Sequence, residues 1–195
     1  MKIGLYGGSF DPIHHGHLIL GREALEKLEL DRVVFIPAAL SPHKLETQPS
    51  PPELRLEMIR LSIENEPGFE IDDLELHRKG PSYTVDTVEI YRKRFPGAGL
   101  FYFIGQDNLT ALHTWRRVDD LLKNVTLVVF GRGSSSDSEL APPNITRSFD
   151  ISSTEVRNRV AKGLSIRYLV HHRVADLIHE KQLYLEPRHR LINDP

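Results

Sequence analysis

Apolar residues fall along this chain in two rhythms. Four short runs, Ile3–Tyr6, Val33–Ile36, Leu100–Ile104 and Leu127–Phe130, are nearly continuous in hydrophobic residues. Strands apolar on both faces belong in a parallel sheet covered by helices. The stretches between them carry helical spacing. Gly21, Ala24, Leu25 and Leu28 follow the first run, and Pro52 to Ile63 places Leu54, Met58 and Leu61 on one face with proline near the first turn. Thr84 to Arg94 repeats Val85, Val88 and Tyr91, while Val118, Leu121 and Leu122 mark a short helix. Val156 and Val160 mark another, and Val170, Val174, Leu177 and Ile178 a last one leading to Leu183-Tyr184-Leu185. Strand–helix alternation with right-handed crossovers predicts an α/β fold, a Rossmann-like doubly wound parallel sheet with helices on both faces. One domain is expected over residues 1–187, with a frayed tail at 188–195. Two loops interrupt the rhythm. Ser41–Pro52 is proline-rich and follows the second strand, on the carboxyl edge where such sheets bind ligands. Gly131–Asn144 is rich in Gly, Ser, Asp and Pro.

Composition narrows the function. With 195 residues, 39% of them hydrophobic, the chain can bury one good core. A formal net charge of -2 argues against nucleic acid or another polyanion held by bulk attraction, so any phosphate binding must be local. The absence of cysteine excludes disulfides and thiol chemistry. No apolar run approaches ~18 residues and the N-terminus enters a strand at once, so no membrane partner and a cytoplasmic location are expected.

The densest chemical signal is Gly7-Gly8-Ser9-Phe10-Asp11-Pro12-Ile13-His14-His15-Gly16-His17, between the first strand and the first helix. Gly7 and Gly8 allow a tight turn and close approach of backbone to ligand. His14 and His17, three apart at a helix entrance, can both face an anion beside the positive end of the helix dipole. Bare N–H groups, imidazole donors and that dipole together suit a polyphosphate. Taken singly, a glycine pair is most often only a turn and a histidine most often structural. Three histidines could also hold a metal, but no cysteine is present and no fourth ligand follows at zinc spacing, so no protein-bound metal is expected. As a whole, GGSFDPxHxGH resembles the nucleotidyltransferase superfamily that carries an HxGH phosphate motif. A second motif, Ile151-Ser152-Ser153-Thr154-Glu155-Val156-Arg157, opens another helix. Ser152 with Glu155 reads as a capping box. The further hydroxyls and Arg157 also fit an anion nest. Paired with the first motif, it matches the ISSTxxR signature of the same superfamily.

The middle of the chain discriminates among such enzymes. Ser41-Pro42-His43-Lys44, then Gly80-Pro81-Ser82-Tyr83-Thr84-Val85-Asp86-Thr87, Phe103-Ile104-Gly105-Gln106-Asp107-Asn108-Leu109 and Trp115 follow in order. With both phosphate motifs they resemble bacterial nicotinate-nucleotide adenylyltransferases over roughly residues 2–185. The resemblance implies adenylyl transfer from ATP to nicotinate mononucleotide (NaMN), giving deamido-NAD and pyrophosphate. It implies ATP contacts at Gly7, Gly8, Ser9, Phe10, His14, His17, Lys44, Gly105, Asp107, Ser152, Ser153, Thr154 and Arg157, with His17 and then His14 the essential side chains. It implies that Trp115 stacks on the nicotinate ring, a flat cation suited to an indole face. Tyr83 and Thr84 would orient the ring substituents, Asp107 would accept from ribose hydroxyls, and Arg132 would help hold the adenylyl half. Mg²⁺ is expected to arrive with ATP, bound mainly to phosphate oxygens and water. The sequence departs from the family's pattern at Ala38-Ala39, where Asn is common, and at Ser41 and Gln106; Arg116, Arg117 and Val118 stand where a second aromatic often follows the tryptophan. Two other readings stay open: transfer to nicotinamide mononucleotide or another phosphate acceptor, and a non-catalytic nucleotide-binding regulator on the same fold. Oligomeric state is not read from the sequence.

Overall fold

The computed structural model describes residues 1–39, 49–78, 80–131, 143–147 and 150–185. Among the described residues, six strands form one wholly parallel sheet: β1 (Lys2–Gly8), β2 (Arg32–Pro37), β3 (Phe69–Ile71), β4 (Gly99–Gly105), β5 (Thr126–Gly131) and β6 (Asn144–Thr146). Their spatial order is β3-β2-β1-β4-β5-β6. The chain therefore winds outward from β1 in one direction, then returns to build the other half from β4. The order reverses between β1 and β4, and a crevice opens there at the strands' carboxyl ends.

The helices are α1 (His15–Lys27), α2 (Pro52–Ile63), α3 (Thr84–Arg94), α4 (Gln106–Thr110), α5 (Val118–Asn124), α6 (Ser153–Ala161) and α7 (His172–Glu180), with a 3₁₀ turn at Leu112–Thr114. Alternation along each strand feeds two separate cores. Tyr6, Val33, Phe35, Phe103, Val128 and Phe130 pack with Ala24, Met58, Val156 and Val174, on the face covered by α1, α2, α6 and α7. Ile3, Leu5, Val34, Ile36, Leu100, Tyr102, Leu127 and Val129 pack with Val85, Val88 and Leu121, on the face covered by α3 and α5. Among the described residues, no helix is long and apolar enough to cross a membrane.

Several expectations need correction. β3 and β6 are three-residue edge strands that no long apolar run announced, and β6 begins at Asn144, inside the expected loop. The segment after Ile104 turns into α4 almost at once. The buried face of α2 is Arg55, Met58, Ile59 and Ile63. Met58 lies there as expected and Leu61 packs half-buried against the same core, but Leu54 is only half-buried and the buried arginine is not part of any apolar stripe. Leu122 is exposed. The last helix starts at His172, past Val170, and residues 181–184 form turns. The expected tail 188–195 lies outside the described residues.

Candidate active site

A cleft of about 820 Å³ occupies the switch point, within the usual size of a small-molecule site. Gly7 and Gly8 end β1 at its floor. A Cβ on Gly7 would collide with the Tyr102 hydroxyl, so glycine there leaves room for the tyrosine side chain at the cleft. Phe10 follows in the left-handed region (φ 46) with its ring buried, an unusual backbone held by packing.

At the entrance of α1, the backbone N–H of His14 donates to His17 Nδ1 at 3.2 Å. With Nδ1 accepting, the neutral His17 ring carries its proton on Nε2. The ring is clamped on several sides. Phe10 and Tyr6 meet it edge-on at 5.1 and 5.9 Å between centroids, and the His14 ring stacks on it at 3.7 Å. His14 is itself nearly buried, so the two histidines act as one stacked unit rather than as two separate arms.

The second motif is stitched to the first. Ser152 Oγ accepts the Glu155 N–H at 3.1 Å and caps α6, which is the N-cap half of the expected capping box. Ser153 Oγ donates to the Pro12 carbonyl at 2.9 Å, and Arg157 Nη1 donates to the Asp11 carbonyl at 2.7 Å. Arg157 Nη2 also reaches Thr154 Oγ1 at 3.2 Å. The starts of α1 and α6 thus form one rigid rim of the cleft.

Across the cleft stand Tyr83, Thr84 and Trp115. Tyr83 precedes α3, and its ring lies under the Arg116 guanidinium at 4.6 Å. Thr84 donates to the Tyr102 hydroxyl at 3.2 Å, and Trp115 meets the Tyr102 ring edge-on at 6.2 Å. Trp115 is half-buried, lining the cleft and packing against the core on the α3 and α5 face. Gly105 closes β4 and lines the cleft, and Asp107 is the second residue of α4 just beyond it. Lys44 and Arg132 lie outside the described residues, as does the side chain of Asp107.

Thus Gly7, Gly8, Ser9, Phe10, His14, His17, Tyr83, Thr84, Gly105, Trp115, Ser152, Ser153, Thr154 and Arg157 share one cavity. Sequence reasoning missed three groups around it. Arg55 is fully buried beneath the rim, donating to the carbonyls of Ser9 (2.7 Å), Ala38 (2.8 Å) and Ser50 (3.0 Å). Burial lowers its pKa, and Asp11 works in the opposite direction. Asp11 in turn accepts from the Tyr184 hydroxyl at 2.6 Å and the Ser50 N–H at 3.1 Å. Arg147, just past β6, also lines the cleft, with Nε on Glu23 at 2.9 Å. Glu75 is the third, a buried carboxyl beside Ser82. A lone buried charge leaves no periodic mark, so only Asp11, inside a motif, offered a signal.

The cytidylyltransferase-like family model matches residues 5–159. A relative from Opitutus terrae, named "Probable nicotinate-nucleotide adenylyltransferase", is 42% identical over 191 residues, covering 94% of this chain and 98% of its own. One of the same name from Thermus thermophilus is 43% identical over 187 residues, covering 94% and 100%. The chain belongs to the cytidylyltransferase-like family, in its nicotinate-nucleotide adenylyltransferase branch. The solved structure of Plasmodium falciparum nicotinic acid mononucleotide adenylyltransferase is 20% identical, with a TM-score of 0.76 over 94% of this chain and 96% of that one. At that identity the likeness speaks for the fold.

Proposed function

We propose that this enzyme transfers the adenylyl group of ATP to nicotinate mononucleotide, releasing pyrophosphate and forming deamido-NAD, a step of NAD biosynthesis in the cytoplasm. The observation that carries the reading is one cleft in which both phosphate motifs, some 140 residues apart in sequence, face the Tyr83–Thr84–Trp115 wall. Glycine-floored helix starts suit a triphosphate; an indole face suits a pyridinium ring.

The NaMN phosphate is already an anion at neutral pH, so no protein nucleophile is required. Its oxygen forms a bond to the α-phosphorus as the bond from that phosphorus to the bridging oxygen breaks, and the electron pair leaves with pyrophosphate. His17 Nε2–H donates a hydrogen bond to that oxygen as charge builds on it, with His14 fixing the ring plane. Ser153, Thr154 and Arg157 receive the departing phosphates. Catalysis is then positioning plus neutralisation of charge. ATP enters as its Mg²⁺ complex, with phosphate oxygens and water as the ion's main ligands; among the described residues no cluster of three His, Asp or Glu could hold a metal.

The acid is the preferred pyridine substrate because a carboxylate accepts the backbone N–H groups near Thr84, where an amide NH₂ would meet donors. Ala38 lines the cleft without a polar side chain, so preference rather than strict exclusion is expected. The test is pyrophosphate release from ATP and Mg²⁺ with either mononucleotide. An amide rate equal to the acid rate overturns the named acceptor; no release with either overturns adenylyl transfer to a pyridine nucleotide.

A further inference from the structure

The proposed reaction makes no use of the buried carboxyl of Glu75, although it lines the cleft beside Ser82, Tyr83 and Thr84. Thr87 Oγ1 donates to Glu75 Oε1 at 2.5 Å, and the nearby Ser82 hydroxyl favours the charged form of the same carboxyl. Arg78 Nη1 donates to Thr87 Oγ1 at 2.9 Å and backs the cluster with a positive charge. Ser82, also buried, at the same time accepts the Ala39 N–H at 3.2 Å. One carboxyl therefore ties together three pieces of wall: the chain just past β2, the approach to α3, and the first turn of α3. Tyr83 and Thr84 lie between Ser82 and Thr87 in sequence, and Thr84 continues the chain of contacts to Tyr102, on which Trp115 rests.

We infer that Glu75 is a positioning residue for the pyridine nucleotide: through Ser82 and Thr87 it holds the Tyr83–Thr84 wall in the geometry that receives the ring and its substituent. The inference rests on the pyridine-nucleotide reading of the cleft. Among the described residues, neither phosphate motif bonds to Glu75, Ser82 or Thr87 themselves. The nearest link is one residue from Ala39, where the Ala38 N–H donates to the Gly8 carbonyl at 2.9 Å, and the rim of α1 and α6 is held by Ser153 and Arg157 on the carbonyls of Pro12 and Asp11. Disturbing Glu75 should therefore strike one substrate and spare the other. Burial pushes the carboxyl's pKa up, against the pull of Thr87, Ser82 and Arg78, so the carboxyl sits there at a cost that a surface residue would avoid.

The experiment compares wild type, Glu75→Ala, Glu75→Gln and Ser82→Ala in the full chain, measuring pyrophosphate release while NaMN and ATP are varied in turn. Losing the two hydroxyl contacts in Glu75→Ala should raise KM for NaMN roughly tenfold and leave KM for ATP within about twofold. Glu75→Gln keeps the shape and one acceptor oxygen, and should restore part of the loss. The preference for NaMN over its amide should shrink in the same order. A purely structural role would change the amount of folded enzyme, and so the apparent kcat, without splitting the two KM values. If Glu75→Ala does not fold, Glu75→Gln and Ser82→Ala carry the test, each raising the NaMN constant alone. NaMN constants unchanged in every folded variant, or NaMN and ATP constants rising together, overturn the role of Glu75. A wild-type enzyme that does not turn over NaMN overturns the substrate reading and the inference with it.

Discussion

His17 holds its proton on one particular nitrogen because the N–H of His14 points at the other. That orientation, together with the packing of Phe10 and Tyr6, makes Nε2 a preorganised donor. Removing one such donor costs ~10²–10³ in rate. His17→Ala should therefore lose turnover on that scale while melting near the wild-type temperature; wild-type turnover in this variant would remove the histidine from the mechanism. Glu75 offers a residue-scale check through pH. Its folded pKa is raised, so the folded state holds a proton that the unfolded state releases first. Stability is then lost as pH rises from the ordinary glutamate value through the raised folded one. Glu75→Gln does not titrate, so its melting temperature should gain on wild type across that window. Parallel melting curves against pH would show that Glu75 does not titrate differently on folding.

At the scale of elements, the rim depends on backbone carbonyls held by side chains from distant helices. Arg157 is the link from α6 to the turn before α1. Its planar fork addresses two acceptors at once, which a point charge cannot reproduce. Arg157→Ala should weaken ATP binding and turnover, with Arg157→Lys recovering only part, as ATP titration and steady-state rates would report. Unchanged ATP affinity in both variants would leave α6 as a capped helix and no more. Arg55 is the corresponding link from α2, and its loss leaves three carbonyls without their donor beside the buried Asp11. Removing one partner of a buried charged cluster typically costs about 3–5 kcal/mol. Arg55→Met should lower the melting temperature by roughly 10 °C in a chain of this size. A loss of only a degree or two would mean that the cluster repacks without it.

For the whole molecule, the two-sided cleft predicts that the substrates can be separated by their effects. Trp115→Ala should raise KM for NaMN about tenfold, the worth of a cation–π contact in a partly dry pocket, with KM for ATP little changed. Fluorescence of the single tryptophan should respond to NaMN and not to ATP alone. A signal that ignores NaMN would move the ring elsewhere in the cleft.

By itself, the order of residues determined the alternation of long strands and helices, because apolar runs and helical spacing are local and survive without knowledge of neighbours. It determined the two phosphate motifs for the same reason: Gly7 to His17 and Ile151 to Arg157 are contiguous strings with their own turn and capping chemistry. Tertiary structure decided the rest. β3 and β6 are strands only because β2 and β5 offer them edges to pair with. Arg55 breaks the apolar stripe of α2, yet the fold buries it because three carbonyls from the β1–α1 and β2–α2 connections converge there. Ser82 and Glu75 look like ordinary polar residues until the packing of α3 against the sheet encloses them. Burial and hydrogen-bond partnership arise from residues far apart in sequence, so they exist only once the sheet has brought its two halves together.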